Sequence, residues 1–590
     1  MQYAQVVVNT PLVLRKPHEE ESLPAESLRE RAFTYSIPEH LAHQIALGQL
    51  VWVPFGSRRI QGIIIAFSET SPVEQTKDID EIADPRPLLS ATQLELARWI
   101  ARTYLCPFYD ALSLMLPPGI EQPTEIVLSL APNLSRENLT PKQIALVDLL
   151  SRERSIKLNK LPRDLRSAVD ALAQRGIVIK KTMVAPLRAR PKQVNTVRLL
   201  SEAPIATLPP RTQDKARRIV ELLKAENKPL WVSVVYAAIE NCSLADLRKL
   251  EAAGIVALEE KQVWRDSLAG RTFEIVEPPK LTSEQEAVWE KISSRLKVSR
   301  SNLEPQTLNL EPQTLNLAPA TFLLHGVTGS GKTEIYMRAL AEIIAQGKQG
   351  IVLVPEISLT PQTIRRFGAR FKRMAVIHSQ LSIGERYDTW RRCRDGLVDV
   401  VIGARSALFA PLPNLGLIVL DEEHDTSYKQ AESPHYHARE VALELGRLTG
   451  AAVILGSATP DVETYYRATR GELTLLELPQ RVMGHRAVIE KQVAEFAVPP
   501  ARVAMHELGT AFADARYLEL PPVEIVDLRA ELKAGNRSMF SRALQREMTR
   551  VLAAREQVIL FLNRRGTATF VLCRDCGYVF KCKRCDNPMT

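Results

Sequence analysis

Residues 326–333 read GVTGSGKT, directly after the apolar run TFLLH (321–325) and directly before the helix-forming stretch EIYMRALAEIIAQG (334–347). Gly326, Gly329 and Gly331 let backbone N–H groups converge on phosphate oxygens with no Cβ in the way, and a helix starting near Lys332 adds its positive end to the same place. Lys332 is placed to bridge β- and γ-phosphates and Thr333 to hold Mg²⁺, while Val327, Thr328 and Ser330 complete the loop. A strand, this loop and a helix in that order predict an ATP-binding domain built on a parallel sheet.

Working outward, the next decisive stretch is IVLDEEHD (418–425). A buried strand that ends in acids has few purely structural uses. Asp421 is expected to bind the Mg²⁺ shell and Glu422 to orient or deprotonate the attacking water. GSATP (456–460) ends the following apolar run, which puts Ser457 and Thr459 in reach of the γ-phosphate. TFLLHG, IVLVPE, MAVIHS, DVVIGA, LGLIVLDE and AVILGSATP alternate with helical stretches from 320 onward. Such alternation predicts a parallel sheet with helices on both faces and its ligand-carrying turns at the strand C-terminal ends.

Upstream, NLEPQTL occurs at 302–308 and again at 309–315, followed by NLAPA. Each copy carries a proline and little to bury, so 296–320 is expected to be a flexible linker and not a coiled coil. Residues 1–120 form a β-rich unit: QYAQVVV, QLVWVPFG and IQGIIIAFS are β-branched and aromatic runs, followed by helical TQLELARWIARTYL and a Leu116-Pro117-Pro118-Gly119 stop. Residues 121–200 and 201–280 each give helix, helix, glycine (Gly176, Gly254), strand. That order predicts two winged-helix-like modules, with simple helical spacers as the competing reading.

Downstream of the sheet (281–480), residues 481–520 turn charged and alanine-rich, as an insertion does. VEIVDLR and QVILFLNRRG, within 521–572, return to strand-like sequence. The net charge is +9, which permits a nucleic-acid partner. No apolar run reaches membrane-spanning length and residues 1–20 lack an apolar signal core, which predicts a cytoplasmic protein. Of seven cysteines at 106, 242, 393, 573, 576, 582 and 585, the first three are expected to be buried and inert. Cys573, Cys576, Cys582 and Cys585 crowd into 573–590 as CRDC and CKRC, knuckles suited to thiolate–zinc coordination. Only five residues separate the pairs, so they read as two half-sites; one shared zinc and a metal-free segment stand as alternatives.

The combination is similar to one family. VPEISLTPQ (354–362), HSQLS (378–382), GARSALFAPLPNLGLIVLDEEHDTSYKQ (403–430), YHARE (436–440) and FLNRRG (561–566) resemble the PriA family of replication-restart helicases (primosomal protein N′), in superfamily 2. FTYSIPEHLAHQIALGQLVWVPFGSRRIQGIII (33–65) resembles that family's amino-terminal DNA-binding module. The resemblance implies an α/β fold: a RecA-like helicase lobe preceded by the β-rich DNA-binding domain and winged-helix-like modules, with the start of a second lobe (521–572) and of a zinc-binding segment. It implies a 3′→5′ DNA helicase that uses ATP and Mg²⁺, recognises abandoned forks, and works with primosome proteins, the replicative-helicase loader and single-stranded DNA-binding protein. It also implies two Zn²⁺ ions, held in the family by eight cysteines.

Position by position, Gln285 in LTSEQ resembles the adenine-reading glutamine, and Arg405 and Ser406 the DNA-contacting GxRSA segment. His424 and the stretch Tyr428–Tyr436 resemble a loop that couples DNA occupancy to hydrolysis, where Tyr428, Lys429 and Tyr436 suit base stacking and phosphate attraction. Ala404 and His435 depart from the threonine and arginine usual in the family. No glutamine-and-arginine motif supplying an arginine finger follows FLNRRG, so a truncated product is expected, one that binds ATP and DNA but hydrolyses ATP feebly. The rival reading is a non-catalytic fork-binding scaffold; a restriction-enzyme motor subunit is disfavoured by the cysteine knuckles and by VPFG at 53–56.

Overall fold

The computed structural model describes residues 2–9, 32–56, 58–120, 122, 124–131, 139–184, 189–201, 205, 208–298, 320–485, 515–518, 522–561 and 578. Residues 1–517 form one compact unit and 518–590 a second.

The amino-terminal strands β1 (Tyr3–Val8), β2 (Ala32–Ser36), β3 (Leu50–Phe55), β4 (Arg58–Ser68), β5 (Lys77–Asp78) and β6 (Glu81–Ile82) make a six-stranded sheet in the order β5-β2-β1-β4-β3-β6. Two helices follow, α1 (Ala91–Thr103) and α2 (Phe108–Ser113). Ser90 and Gln93 close a reciprocal capping box at the start of α1.

Next come two modules of one topology. The first runs β7 (Thr124–Leu130), α3 (Pro141–Glu153), β8 (Ser155–Lys157), α4 (Arg166–Gln174), β9 (Val178–Val184). The second runs β10 (Lys192–Leu199), α5 (Pro210–Glu226), β11 (Leu230–Trp231), α6 (Val232–Ala238), α7 (Leu244–Ala252), β12 (Val256–Val263). Each folds a three-stranded sheet with the first strand central, β8-β7-β9 and β11-β10-β12. The strand expected after the glycine does not pair within a local hairpin. The last strand returns to pair antiparallel with the strand that precedes both helices. Gly176 (φ +70°) and Gly254 (φ +71°) end α4 and α7 in the left-handed region. The following residues donate back into the last turn, Ile177 to Leu172 at 3.0 Å and Ile255 to Leu250 at 2.9 Å, a cap that favours glycine.

The remainder of the first unit is a seven-stranded parallel sheet. It comprises β13 (Thr321–Gly326), β14 (Gln349–Leu353), β15 (Met374–Ile377), β16 (Val400–Gly403), β17 (Leu415–Asp421), β18 (Ala452–Ser457) and β19 (Thr474–Leu478), ordered β15-β16-β14-β17-β18-β13-β19. The helices flanking it are α8 (Ser283–Val298), α9 (Lys332–Ala345), α10 (Pro361–Gly368), α11 (Ile383–Arg394), α12 (Ala438–Thr449) and α13 (Val462–Thr469). Alternate residues of each strand enter different cores, Val352, Ile402 and Val419 one, Ile351, Leu353 and Ile418 the other. Both faces are covered, which explains why these strands are continuously apolar and not alternating.

One of those cores also contains Ile63, Ile100, Phe108 and Leu112 of the amino-terminal unit, and Trp390 donates to the Met115 carbonyl at 3.0 Å. The β-rich unit is thus packed onto the parallel sheet, while each strand–helix module keeps its own core.

Helix α8 continues through Val298, three residues into the expected linker; 299–319, with the repeats, lie outside the described residues. Of 481–520, β20 (Arg481–His485) and β21 (Ala515–Leu518) pair with each other. In the second unit the strands expected in VEIVDLR and QVILFLNRRG are not formed among the described residues: 522–527 and 557–561 are irregular around α14 (Leu528–Lys533) and α15 (Arg542–Ala553). Val523, Ile525, Ile559 and Phe561 are each more than four-fifths exposed. A parallel strand needs neighbours on its edges and layers on both faces, and among the described residues these segments have neither. No helix among the described residues is long and apolar enough to cross a membrane. Cys106 and Cys393 are buried and Cys242 is half-buried; burial pushes the Cys393 thiol up to about 12.

Candidate nucleotide site and adjoining loop

β13 delivers Gly326 to the C-terminal edge of the sheet. The chain then turns, with Val327 donating to Leu478 at 3.1 Å and Ser330 to Val327 at 3.0 Å. Gly329 and Gly331 hold φ of +83° and +89°. A Cβ on Gly331 would also lie 2.3 Å from the Gln285 amide nitrogen, so glycine is required there twice over. Lys332 is 8% exposed and its Nζ donates to the Gly326 carbonyl at 2.7 Å. Ser330 Oγ is buried with no hydrogen-bond partner among the described residues. A turned-in ammonium, an orphaned hydroxyl and the start of α9 fit the phosphates of a nucleotide. Thr333 follows, half-buried, on the first turn of α9.

Gln285 sits beside this loop, against Gly331. Its side-chain oxygen accepts from the Thr282 N–H at 3.0 Å and its amide donates to the Ser330 carbonyl at 2.8 Å. Capping α8 and gripping the loop use one oxygen lone pair and one N–H of the amide.

Across the sheet, β17 carries Asp421 and Glu422 to the same edge. Asp421 accepts from the buried Tyr336 hydroxyl at 3.1 Å, and its backbone carbonyl accepts from Tyr428 at 2.6 Å. Burial, then the neighbouring Glu422, push its carboxyl up to about 6, against the pull of Tyr336 and Lys332. Two adjacent acids so placed suit a divalent cation. Glu422 has φ +49°, a left-handed backbone that a non-glycine residue adopts at a cost of about 1–3 kcal/mol and that clusters at functional positions.

His424 ties the acids to the next strand: its Nδ1 lies 2.7 Å from Ser457 Oγ and 3.7 Å from Glu422 Oε2, and its Nε2 lies 3.5 Å from Thr459 Oγ1. Ser457 is fully buried and also accepts from the Thr459 N–H at 3.0 Å. Of the two expected γ-phosphate sensors, only the exposed Thr459 reaches the surface.

Sequence reasoning missed Glu423 and Arg439. Glu423 is fully buried and accepts from the Asp461 N–H at 2.7 Å, Arg439 Nη1 at 3.1 Å and Thr464 Oγ1 at 3.1 Å. This knot fixes β17 to α12 and α13. The third acid of DEEH and the arginine of YHARE were visible, but nothing in either motif marks them as partners.

The loop after the acids corrects the stacking expectation. Tyr428 is 1% exposed beneath Asp421; Tyr436 is 2% exposed and packs edge-on against Phe409 at 5.2 Å. Neither ring has a face to offer a base, because both fill the core that seats the loop. Arg405 donates to the carbonyls of Ser427 (2.8 Å) and Lys429 (3.1 Å), while Ser406 is exposed. The exposed Lys429 Nζ sits 5.2 Å from the Tyr104 ring centre, and the His437 N–H donates to the Tyr104 hydroxyl at 3.2 Å. The loop therefore rests on the amino-terminal unit. Between that unit and the sheet lies a cleft of about 990 Å³ whose lining includes Arg58, Gln61, Arg386, Arg405 and Ser406. Cys573, Cys576, Cys582 and Cys585 lie outside the described residues, and no metal-binding cluster occurs among those described.

A family model for a 3′DNA-binding domain matches residues 22–117, and one for DEAD/DEAH box helicases matches 283–468. Replication restart protein PriA of Bacillus subtilis is 37% identical over 574 residues, and that of Synechocystis is 34% identical over 585. Each alignment takes in 95% of this chain, which spans 64% and 63% of the respective relative.

Proposed function

We propose that the chain is a member of the PriA family of replication restart proteins, to which its similarity extends over 95% of its length, and on that footing an ATP-dependent DNA helicase, moving 3′→5′, that recognises abandoned forks. The observation that carries this is the meeting of Lys332, Asp421 and Glu422 at one sheet edge, one loop away from a unit matched to DNA binding. Bound magnesium–ATP supplies the phosphoanhydride bond whose hydrolysis drives movement. In this reading the loop N–H groups and Lys332 hold the phosphates, Asp421 and Thr333 hold the metal shell, and Glu422 orients the water and takes its proton. Forked DNA, primosome proteins, the helicase loader and single-stranded DNA-binding protein are the proposed partners. Zinc at Cys573, Cys576, Cys582 and Cys585 is a sequence-based proposal that metal analysis of the purified chain tests.

The deciding experiment measures ATP hydrolysis and strand separation on forks carrying single-stranded tails of either polarity. Expected are DNA-stimulated turnover, a preference for tails that load 3′→5′, and loss of both with Lys332→Ala. Fork binding that survives while no ATP is consumed would favour the scaffold reading instead.

A further inference from the structure

Asp421 is approached by two tyrosines, but only Tyr336 touches its carboxylate. Tyr336 stands four residues after Lys332 on α9, so both side chains leave the same helix face. The helix thus points an ammonium at the phosphate loop and, one turn on, a hydroxyl at the acid. Tyr336 is 1% exposed, and its hydroxyl reaches Asp421 Oδ1 at 3.1 Å.

The opposite wall is shaped to allow this. In the β17–β18 ladder, Asp421 is paired with Gly456. A Cβ at Gly456 would stand 1.6 Å from the Tyr336 hydroxyl oxygen and 2.7 Å from its ring carbon Cζ. Gly456 has no need of glycine for a positive φ, since it is not among the positive-φ residues. Its missing side chain is the space the tyrosine tip occupies. A phenylalanine would fill the rest of that space equally well, so what the hydroxyl adds is the bond to the carboxylate.

We propose that Tyr336 is a positioning residue that fixes the Asp421 carboxylate for magnesium–nucleotide binding, with Gly456 as the sheet position that makes room for it. The inference rests on the nucleotide reading above and assigns to it residues outside the loop and the acids. Lys332 grips the anion whether or not a cation is present; Tyr336 acts only through Asp421, and so only on the metal-dependent part of binding.

The experiment titrates Mg²⁺ against binding of a fluorescent ATP analogue to the full 590-residue chain, with thermal unfolding in parallel. For Tyr336→Phe, half-saturation is expected at about three- to tenfold more Mg²⁺, with affinity in EDTA unchanged within about twofold. Gly456→Ala should raise the Mg²⁺ requirement in the same direction and lower the unfolding midpoint. In the double variant Tyr336→Phe/Gly456→Ala the 1.6 Å contact is gone while the 2.7 Å approach to Cζ stays, so the midpoint should recover only in part while the Mg²⁺ defect stays. A Tyr336→Phe curve that superimposes on the parent's, or equal weakening with and without Mg²⁺, overturns the positioning role. A parent chain that takes up no nucleotide in Mg²⁺ overturns instead the reading beneath it.

Discussion

Asp421 carries the sharpest consequence of a single residue's surroundings. Its carboxyl is raised to about 6 from an ordinary value near 3.8, so the folded chain holds a proton that the unfolded chain releases. Stability from this group is complete below pH 4 and is lost as pH rises through about 6. Asp421→Asn should therefore raise the unfolding midpoint of the nucleotide-free chain at pH 7.5, by an amount equivalent to about 3 kcal/mol. The advantage should fade below pH 5. A calorimetric series that shows a pH-independent difference would remove the linkage argument. Glu422→Gln belongs to the same scale: it keeps the shape and hydrogen-bonding reach but not the basicity. Turnover should fall about 10²–10⁴-fold while nucleotide affinity is retained.

At the scale of elements, two junctions matter more than any helix or strand alone. Glu423, on the loop leaving β17, is fully buried and shares Arg439 with Asp461. Glu423→Ala leaves an arginine of 8% side-chain exposure without its closest buried partner, and denaturant unfolding should report a loss of about 3–5 kcal/mol. The second junction is the turn between α7 and β12. Gly254 has φ +71°, and a Cβ there meets nothing within 4 Å, so Gly254→Ala pays only for backbone strain. The expected cost is about 1 kcal/mol, confined to the second module, and amide exchange should rise in α7 and β12 while the parallel sheet is unaffected.

The whole molecule joins the amino-terminal unit to the site by one loop. Tyr104 receives the His437 N–H and lies under Lys429, whose neighbour Tyr428 bonds the Asp421 carbonyl. Ser433 adds a bond to Asp110 at 3.3 Å. Movement of that unit on binding DNA would be felt at the acids through this contact. Tyr104→Ala should leave turnover without DNA unchanged and reduce its stimulation by forked DNA about two- to tenfold. Equal loss in both conditions would mean that Tyr104 only supports the fold.

Order along the chain was enough to determine the parallel sheet, the glycine-rich turn after β13 and the glycine-capped helix ends, because apolar periodicity, glycine φ and strand–loop–helix succession are local properties. The two strand–helix modules were legible as a repeat, although not in their pairing, since the closing strand bonds to one about 50 to 70 residues upstream. Tertiary structure alone decided the rest. Tyr428 and Tyr436 look like stacking rings in a polar loop, but strand order places a core beneath them. Tyr336 and Asp421 stand 85 positions apart, Glu423 and Arg439 16. Only the layering of helices on the sheet brings them together, and burial then turns proximity into a held carboxylate and a buried ion pair.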